Sequence, residues 1–329
     1  MARTILLTGC AGFIGSHTAV QLRSRGDDVV GIDNLNDYYD PARKRSNLEV
    51  IAATPGGTFT FHEGDIRDRA LLNRLFTDNR FDAVIHLAAM AGVRASMDDP
   101  HLYFDVNLIG TLNLLDATRD HNVGNFVFAS TSSVYGDTKV IPFVEGDICD
   151  KPLAPYPTSK RAAEMLGYTY HHLYDVNFTA LRFFTVYGTR GRPDMMAYKV
   201  LDSIFLGNEV PLYEGGNMFR DWTYVTDIAA GVVAASDRPL GYEQINLGRG
   251  EPCKLSDFVE LVQSLAGGKA NLVNAPMVDA DIAYTFADIS KARRLLGYDP
   301  KVSVPEGVKA FWEWYRDVML PQQRATTSA

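Results

Sequence analysis

Tyr156 and Lys160 stand four residues apart in Tyr156-Pro-Thr-Ser-Lys160, about twenty residues after the hydroxyl cluster Ser130-Thr131-Ser132-Ser133. On a helix, that interval places both side chains on one face, one turn apart. An ammonium beside a phenol favours the phenolate and lowers its pKa from the usual value of about 10. The pair is therefore a candidate general base for a sugar or alcohol hydroxyl near neutral pH. Spacing alone discriminates weakly, because Tyr135 and Lys139 repeat it. Gly136 and Asp137 interrupt that second pair, which reads as a loop.

A base of this kind needs elements to position it. Strand-like runs at Thr4–Thr8, Asp28–Ile32, Thr58–His62, Ala83–Leu87, Asn125–Ala129 and Asn177–Arg182 alternate with helical patterns. The helices are expected at Ile14–Arg25, Pro41–Ala53, Asp68–Thr77, Tyr103–His121 and Tyr156–Tyr174. This alternation predicts βαβ units, hence an α/β fold with a Rossmann-type, doubly wound parallel sheet. Residues 1–182 form the expected dinucleotide-binding domain, with segments near 221–245 returning to it. Recurrent Gly and Pro after Arg182 suggest a smaller, mixed α/β substrate domain over 183–321. The polar residues 322–329 are expected to fray.

The first strand runs into Thr8-Gly9-Cys10-Ala11-Gly12-Phe13-Ile14-Gly15. Glycines at this spacing permit a tight turn and close backbone approach to a pyrophosphate at a helix N-terminus. Asp33 ends the second strand at the interval expected for a ribose-binding acid. Its carboxylate would repel a 2′-phosphate, so NAD is favoured over NADP. Asp65, after the third strand, is a candidate for the adenine edge. The small residues of His86-Leu87-Ala88-Ala89 suit a backbone running beside a cofactor. Arg43, Lys44 and Arg45 read as an exposed helix face, not a phosphate site.

The net charge of −8 argues against nucleic acid or an anionic membrane as partner. No apolar run is long enough to cross a membrane, and the strand expected from Thr4 leaves no room for a signal peptide. Three cysteines without metal-ligand spacing, Cys10, Cys149 and Cys253, suit reduced thiols in a cytoplasmic protein. No metal site is expected, and the histidines on or near helices read as structural or solvent-facing.

Taken in order, the glycine motif, Asp33, His86-Leu-Ala-Ala, Asn107, the Ser/Thr cluster and Tyr156/Lys160 resemble the extended short-chain dehydrogenase/reductase family over nearly the whole chain. Several segments resemble its UDP-glucuronate 4-epimerases: Asp33-Asn-Leu-Asn-Asp-Tyr-Tyr-Asp-Pro41, Gly92-Val-Arg-Ala-Ser96, Arg182-Phe-Phe-Thr-Val-Tyr-Gly188, Gly191-Arg-Pro-Asp-Met195 and Arg220-Asp-Trp-Thr-Tyr-Val-Thr-Asp-Ile228. The resemblance implies that Tyr156 takes the proton of the sugar 4-OH while NAD takes the hydride from C4. The keto sugar then turns over and is reduced on its other face. Lys160 would hold the nicotinamide ribose and Thr131 would assist at the sugar oxygen. Phe13, Ile14, Asn34, Ile66, Asn107 and Phe184 would line the cofactor. Ser132, Ser133, Thr185, Arg94, Arg220 and Asp281 would contact a UDP-sugar, Arg220 at its diphosphate. Arg192 is the candidate for gripping a uronate carboxylate. The family also implies a homodimer.

Ser132 and Ser133 stand where related dehydratases and decarboxylases carry acids, which favours simple epimerisation. A neutral UDP-glucose/UDP-galactose 4-epimerase is the main alternative, followed by a UDP-glucuronate decarboxylase. A non-enzymatic NAD-binding protein is disfavoured by the intact Tyr156/Lys160 pair. The segment Val278-Asp-Ala-Asp281 departs from the uronate-epimerase pattern, in which only Asp281 is shared.

Overall fold

The structure, a computed structural model, describes residues 2–277 and 279–327. Six strands of its main sheet follow the alternation expected from the sequence. They are β1 (Thr4–Thr8), β2 (Asp28–Asp33), β3 (Phe59–Glu63), β4 (Ala83–His86), β5 (Phe126–Thr131) and β6 (Phe178–Phe183). The strand Tyr242–Leu247 joins as the seventh, giving the spatial order 242–247, β6, β5, β4, β1, β2, β3 with every pairing parallel.

β1 lies between β2 and β4, so the strand order reverses beside it. A crevice opens there at the carboxyl ends of the strands, the usual position of a ligand in an open α/β sheet. β4, β5 and β6 are buried throughout, as a sheet covered on both faces requires. Alternation along β1 divides the core: Ile5 and Leu7 pack into one apolar cluster and Leu6 into the other. The helices α1 (Phe13–Ser24) and α2 (Pro41–Ala53) pack together, and α1 also packs against the helix Val225–Ser236. Among the elements of the other cluster are α3 (Arg69–Asp78) and the helices that carry the tyrosine–lysine pair and Asn107.

The helix expected at Tyr103–His121 is present, starting earlier at Pro100 and carrying a π turn. After the short α4 (Ala95–Asp98), it runs without interruption as α5 (Pro100–Phe104), a π turn at Asp105–Ile109, and α6 (Gly110–Asp120). Asp99 accepts from the Leu102 N–H, and Pro100 starts α5, so a new helix begins there. The π turn carries Asn107, and such bulges frequently sit at functional sites. The long helix α7 (Pro155–Tyr174) carries Tyr156 in its first turn, where Pro155 and Pro157 are tolerated because those N–H groups have no helical acceptor.

A three-stranded sheet (Thr185–Tyr187, Phe219–Tyr224, Pro252–Lys254) and a strand pair (Glu209–Tyr213 with Asn271–Ala275) stand beside the main sheet. A last helix runs from Leu320 to Thr327, into the 322–329 segment expected to fray, of which 328 and 329 lie outside the described residues. Gln323 meets both Tyr315 and Asp202, which ties that turn to the helix Met196–Leu206. Among the described residues no helix is long and apolar enough to cross a membrane.

Candidate active site

The cavity at the crevice has a volume of about 410 Å³ and is lined by residues from both halves of the chain. Its floor is the turn from β1 into α1. Gly9 has φ +69°, and a Cβ there would lie 2.6 Å from the Ala88 nitrogen. A Cβ on Gly15 would lie 2.0 Å from the Gly9 carbonyl oxygen. Neither position admits a side chain. Gly12 precedes α1 with no side chain capping the first turn, which leaves its N–H groups without a side-chain acceptor, and Gly12 through Gly15 border the cavity. These features fit a dinucleotide pyrophosphate.

Asp33 closes β2 with its carboxylate buried, accepting from the Leu35 N–H at 2.9 Å and the Ala11 N–H at 3.2 Å. Burial raises its pKa, and these N–H groups together with Lys44 oppose the rise. Lys44 corrects the reading of an exposed basic helix face. It is 5 % exposed and lines the cavity, and its Nζ donates to the Asn36 carbonyl and side-chain oxygens at 2.8 and 2.7 Å. The loop over 34–40 folds back across the start of α2 and draws the lysine inward, which a count of basic residues could not reveal. Asn34 donates to Asp65 at 2.9 Å, and Arg67 holds that carboxylate well below its usual range, at about 2.

Gly9, Gly12, Phe13, Ile14, Gly15, Asp33, Asn34, Asp65, Ile66, Leu87, Ala88, Ala89 and Phe184 all border the cavity. Asn107 stands behind its wall. Its side chain accepts from the Met90 N–H at 2.9 Å and donates to the Met90 carbonyl and to Ser159, bracing the β4 loop against α7. His86 is buried between Thr8 and Thr111, at 2.7 and 3.0 Å, and Thr8 also accepts from the Ala88 N–H. Burial, and then the charge of Lys160, push its pKa well down, so it is a neutral brace.

Tyr156, Lys160 and Thr131 meet in the same cavity, bordered also by Ser132, Ser133, Thr185 and Arg192. The expected lowering of the Tyr156 pKa by Lys160 is not what the structure gives. Burial raises the phenol; the Thr131 hydroxyl and then the Arg192 charge oppose that rise. Lys160 is 1 % exposed, with its Nζ 4.6 Å from the centre of the Phe128 ring. Burial lowers its pKa to about 7, against the pull of Glu164 one turn further along α7. Glu164 is buried in turn, held by Arg182 at 2.8 and 3.0 Å and by Ser130, the neighbour of Thr131. This network ties the ends of β5 and β6 to the helix of the base. Tyr135 and Lys139 do not form a second site: the Tyr135 hydroxyl donates to Asn246 at 2.7 Å, and Lys139 pairs with Asp137.

Arg220 and Asp281 border a smaller adjoining cavity that shares Ser132, Ser133 and Thr185 with the first. Arg94 borders neither; it pairs with Asp281 and lies 3.9 Å from the centre of the Tyr213 ring. The sequence reading missed Tyr38 and Tyr39, which border the main cavity although they lie inside the quoted Asp33–Pro41 segment. Asp194, which binds Arg192, was also passed over inside its own motif. Among the described residues no group of three or more His, Cys, Asp or Glu side chains is placed to hold a metal ion.

A glycine-floored cavity at the switch point of a parallel sheet, with tyrosine and lysine one turn apart on its wall, is the arrangement of the short-chain dehydrogenase/reductase class. Residues 5–248 match the NAD dependent epimerase/dehydratase family, and the chain belongs to it. A UDP-glucuronate 4-epimerase of Thermodesulfobacterium geofontis is 43 % identical over 313 residues, covering 95 % of this chain and 96 % of that protein. The crystal structure of UDP-glucuronic acid 4-epimerase from Bacillus cereus, in complex with UDP-glucuronic acid and NAD, superposes with a TM-score of 0.88 at 34 % identity. It covers 96 % of this chain and 99 % of its own. The UDP-glucose 4-epimerase of Thermotoga maritima, with UDP-glucose, gives 0.87 at 31 % identity over the same shares.

Proposed function

We propose that the protein interconverts UDP-glucuronate and UDP-galacturonate by inverting the sugar at C4. The observation that carries this reading is Arg192 on the wall beside Tyr156, close enough for its charge to favour the phenolate. Ser132 and Ser133, hydroxyls and not acids, complete that wall. NAD, when bound, accepts a hydride from C4 and returns it to the opposite face. Gly9, Gly12 and Gly15 hold its pyrophosphate, Asp33 its adenine ribose, and Lys160 its nicotinamide ribose.

Tyr156 removes the proton from the sugar 4-OH and later returns it. Thr131 hydrogen-bonds at that oxygen and helps keep the phenolate accessible. Thr185, Ser132 and Ser133 orient the sugar. Arg220 meets the diphosphate, and Arg94 with Asp281 closes the nucleotide end. Arg192 grips the uronate carboxylate through two parallel hydrogen bonds. Following UDP-glucuronate by proton NMR is expected to show a C4-inverted uronate and no pentose. A UDP-pentose product, or turnover of UDP-glucose with none of UDP-glucuronate, overturns the reading.

The protein also forms a homodimer on this reading. Met165, Tyr168 and Leu173 of α7 are 60 %, 53 % and 58 % exposed, an apolar surface that a second α7 would cover. Sedimentation is expected to give twice the chain mass, and a monomer at micromolar concentration would refute this. Its place is the cytoplasm, supported by three cysteines that form no disulfide; recovery from a secreted fraction would count against it.

A further inference from the structure

Arg192 does not stand alone. Its Nε donates to Asp194 at 2.9 Å and its Nη2 to the second oxygen of the same carboxylate at 3.0 Å. A guanidinium offers two such forks to planar acceptors, one along its side and one at its end. Asp194 occupies the side fork. It does not border the cavity, whereas Arg192 does, so the carboxylate holds the guanidinium from behind. The end fork, with Nη1, is left for an acceptor in front.

Two further contacts fix this arrangement. The guanidinium lies 5.8 Å from the centre of the Tyr38 ring, and the Tyr38 phenol lies beside Asp194. The Tyr38 oxygen also sits so close to Gly92 that a Cβ there would approach it to 2.7 Å. Tyr38 belongs to the loop between Asp33 and α2, on the cofactor side of the cavity. The device therefore spans from the cofactor loop to the Gly188–Met195 loop. Tyr103, whose ring meets that of Tyr156 at 6.1 Å, stands at the same corner.

We propose that Asp194 is a positioning residue that sets specificity for a uronate over a neutral hexose, by fixing the side of Arg192 so that its end faces the substrate carboxylate. This rests on the reading of Arg192 as the carboxylate grip. Without Asp194 the cation remains but loses its orientation, and a misdirected guanidinium forms one hydrogen bond where two were available. Because Asp194 is 41 % exposed on a loop, its removal leaves the core untouched.

The test measures the dissociation constants of UDP-glucuronate and UDP-glucose on the NAD-loaded enzyme by calorimetry. It uses wild type, Asp194→Ala, Arg192→Ala and the double variant. Asp194→Ala is expected to lower the uronate-to-hexose affinity ratio about tenfold. In the Arg192→Ala background the same change is expected to leave the ratio where Arg192→Ala put it. Asp194→Glu should recover part of the loss. An unchanged ratio in Asp194→Ala, with a ratio that does fall in Arg192→Ala, defeats this proposal and spares the grip. A higher uronate affinity in Asp194→Ala also defeats it, since Asp194 would then be a competitor for the guanidinium. If Arg192→Ala itself leaves the ratio unchanged, it is the underlying reading that fails.

Discussion

Replacing Tyr156 by phenylalanine is expected to lower kcat about a thousandfold while changing the affinity for UDP-glucuronate little. The phenylalanine keeps the ring that packs against Tyr103 and removes only the oxygen that exchanges the proton. The wild-type enzyme should show kcat/KM rising with pH, because only the phenolate can accept the proton. Burial raises the Tyr156 pKa, so that rise lies toward alkaline pH, tempered by Thr131 and then Arg192. The phenylalanine variant should lose the dependence along with the activity. Stopped reactions across a pH series, with the C4-inverted uronate quantified by proton NMR, check both parts. Activity within tenfold of wild type would remove Tyr156 from the role of base.

Much of this site was legible in the sequence because its chemistry is written in local intervals. Tyr156 and Lys160 are one helical turn apart, and Gly9, Gly12 and Gly15 lie within one turn and its helix. βαβ alternation likewise announces a parallel sheet, since each parallel pairing needs a crossover. What escaped depends on contacts between distant segments. Lys44 is an ordinary helix lysine until the 34–40 loop folds over it and supplies Asn36 as acceptor. The electrostatics of Tyr156 were misassigned for the same reason. The spacing named Lys160 as the nearest cation, but Lys160 turns toward Phe128 and Glu164, while Arg192 arrives from a loop beyond β6. The π turn between α5 and α6 was hidden because apolar periodicity continues through it while the register shifts by one residue.

Arg192→Ala is the second large effect. It is expected to lower kcat/KM for UDP-glucuronate about a hundredfold, the worth of a two-point charge-assisted hydrogen bond in a partly closed site. Its effect on UDP-glucose, which has no carboxylate to hold, should be several times smaller. Two further consequences separate a grip from a general loss of structure. The 4-keto form of a uronate is a β-keto acid, and it loses CO₂ most readily when the carboxylate bond aligns with the carbonyl. Freed of the guanidinium, the ring can pucker until the C5–C6 bond lies parallel to the carbonyl π orbital, so a UDP-pentose should appear among the products by NMR. Arg192 also favours the Tyr156 phenolate, so its removal should raise the Tyr156 pKa and move the rising limb of the pH profile to higher pH. The side chain is 25 % exposed on the loop after the strand Thr185–Tyr187, so the fold should tolerate alanine. Equal losses on both substrates, with no pentose and an unmoved pH limb, would show that Arg192 supports the loop and leaves the carboxylate to another group.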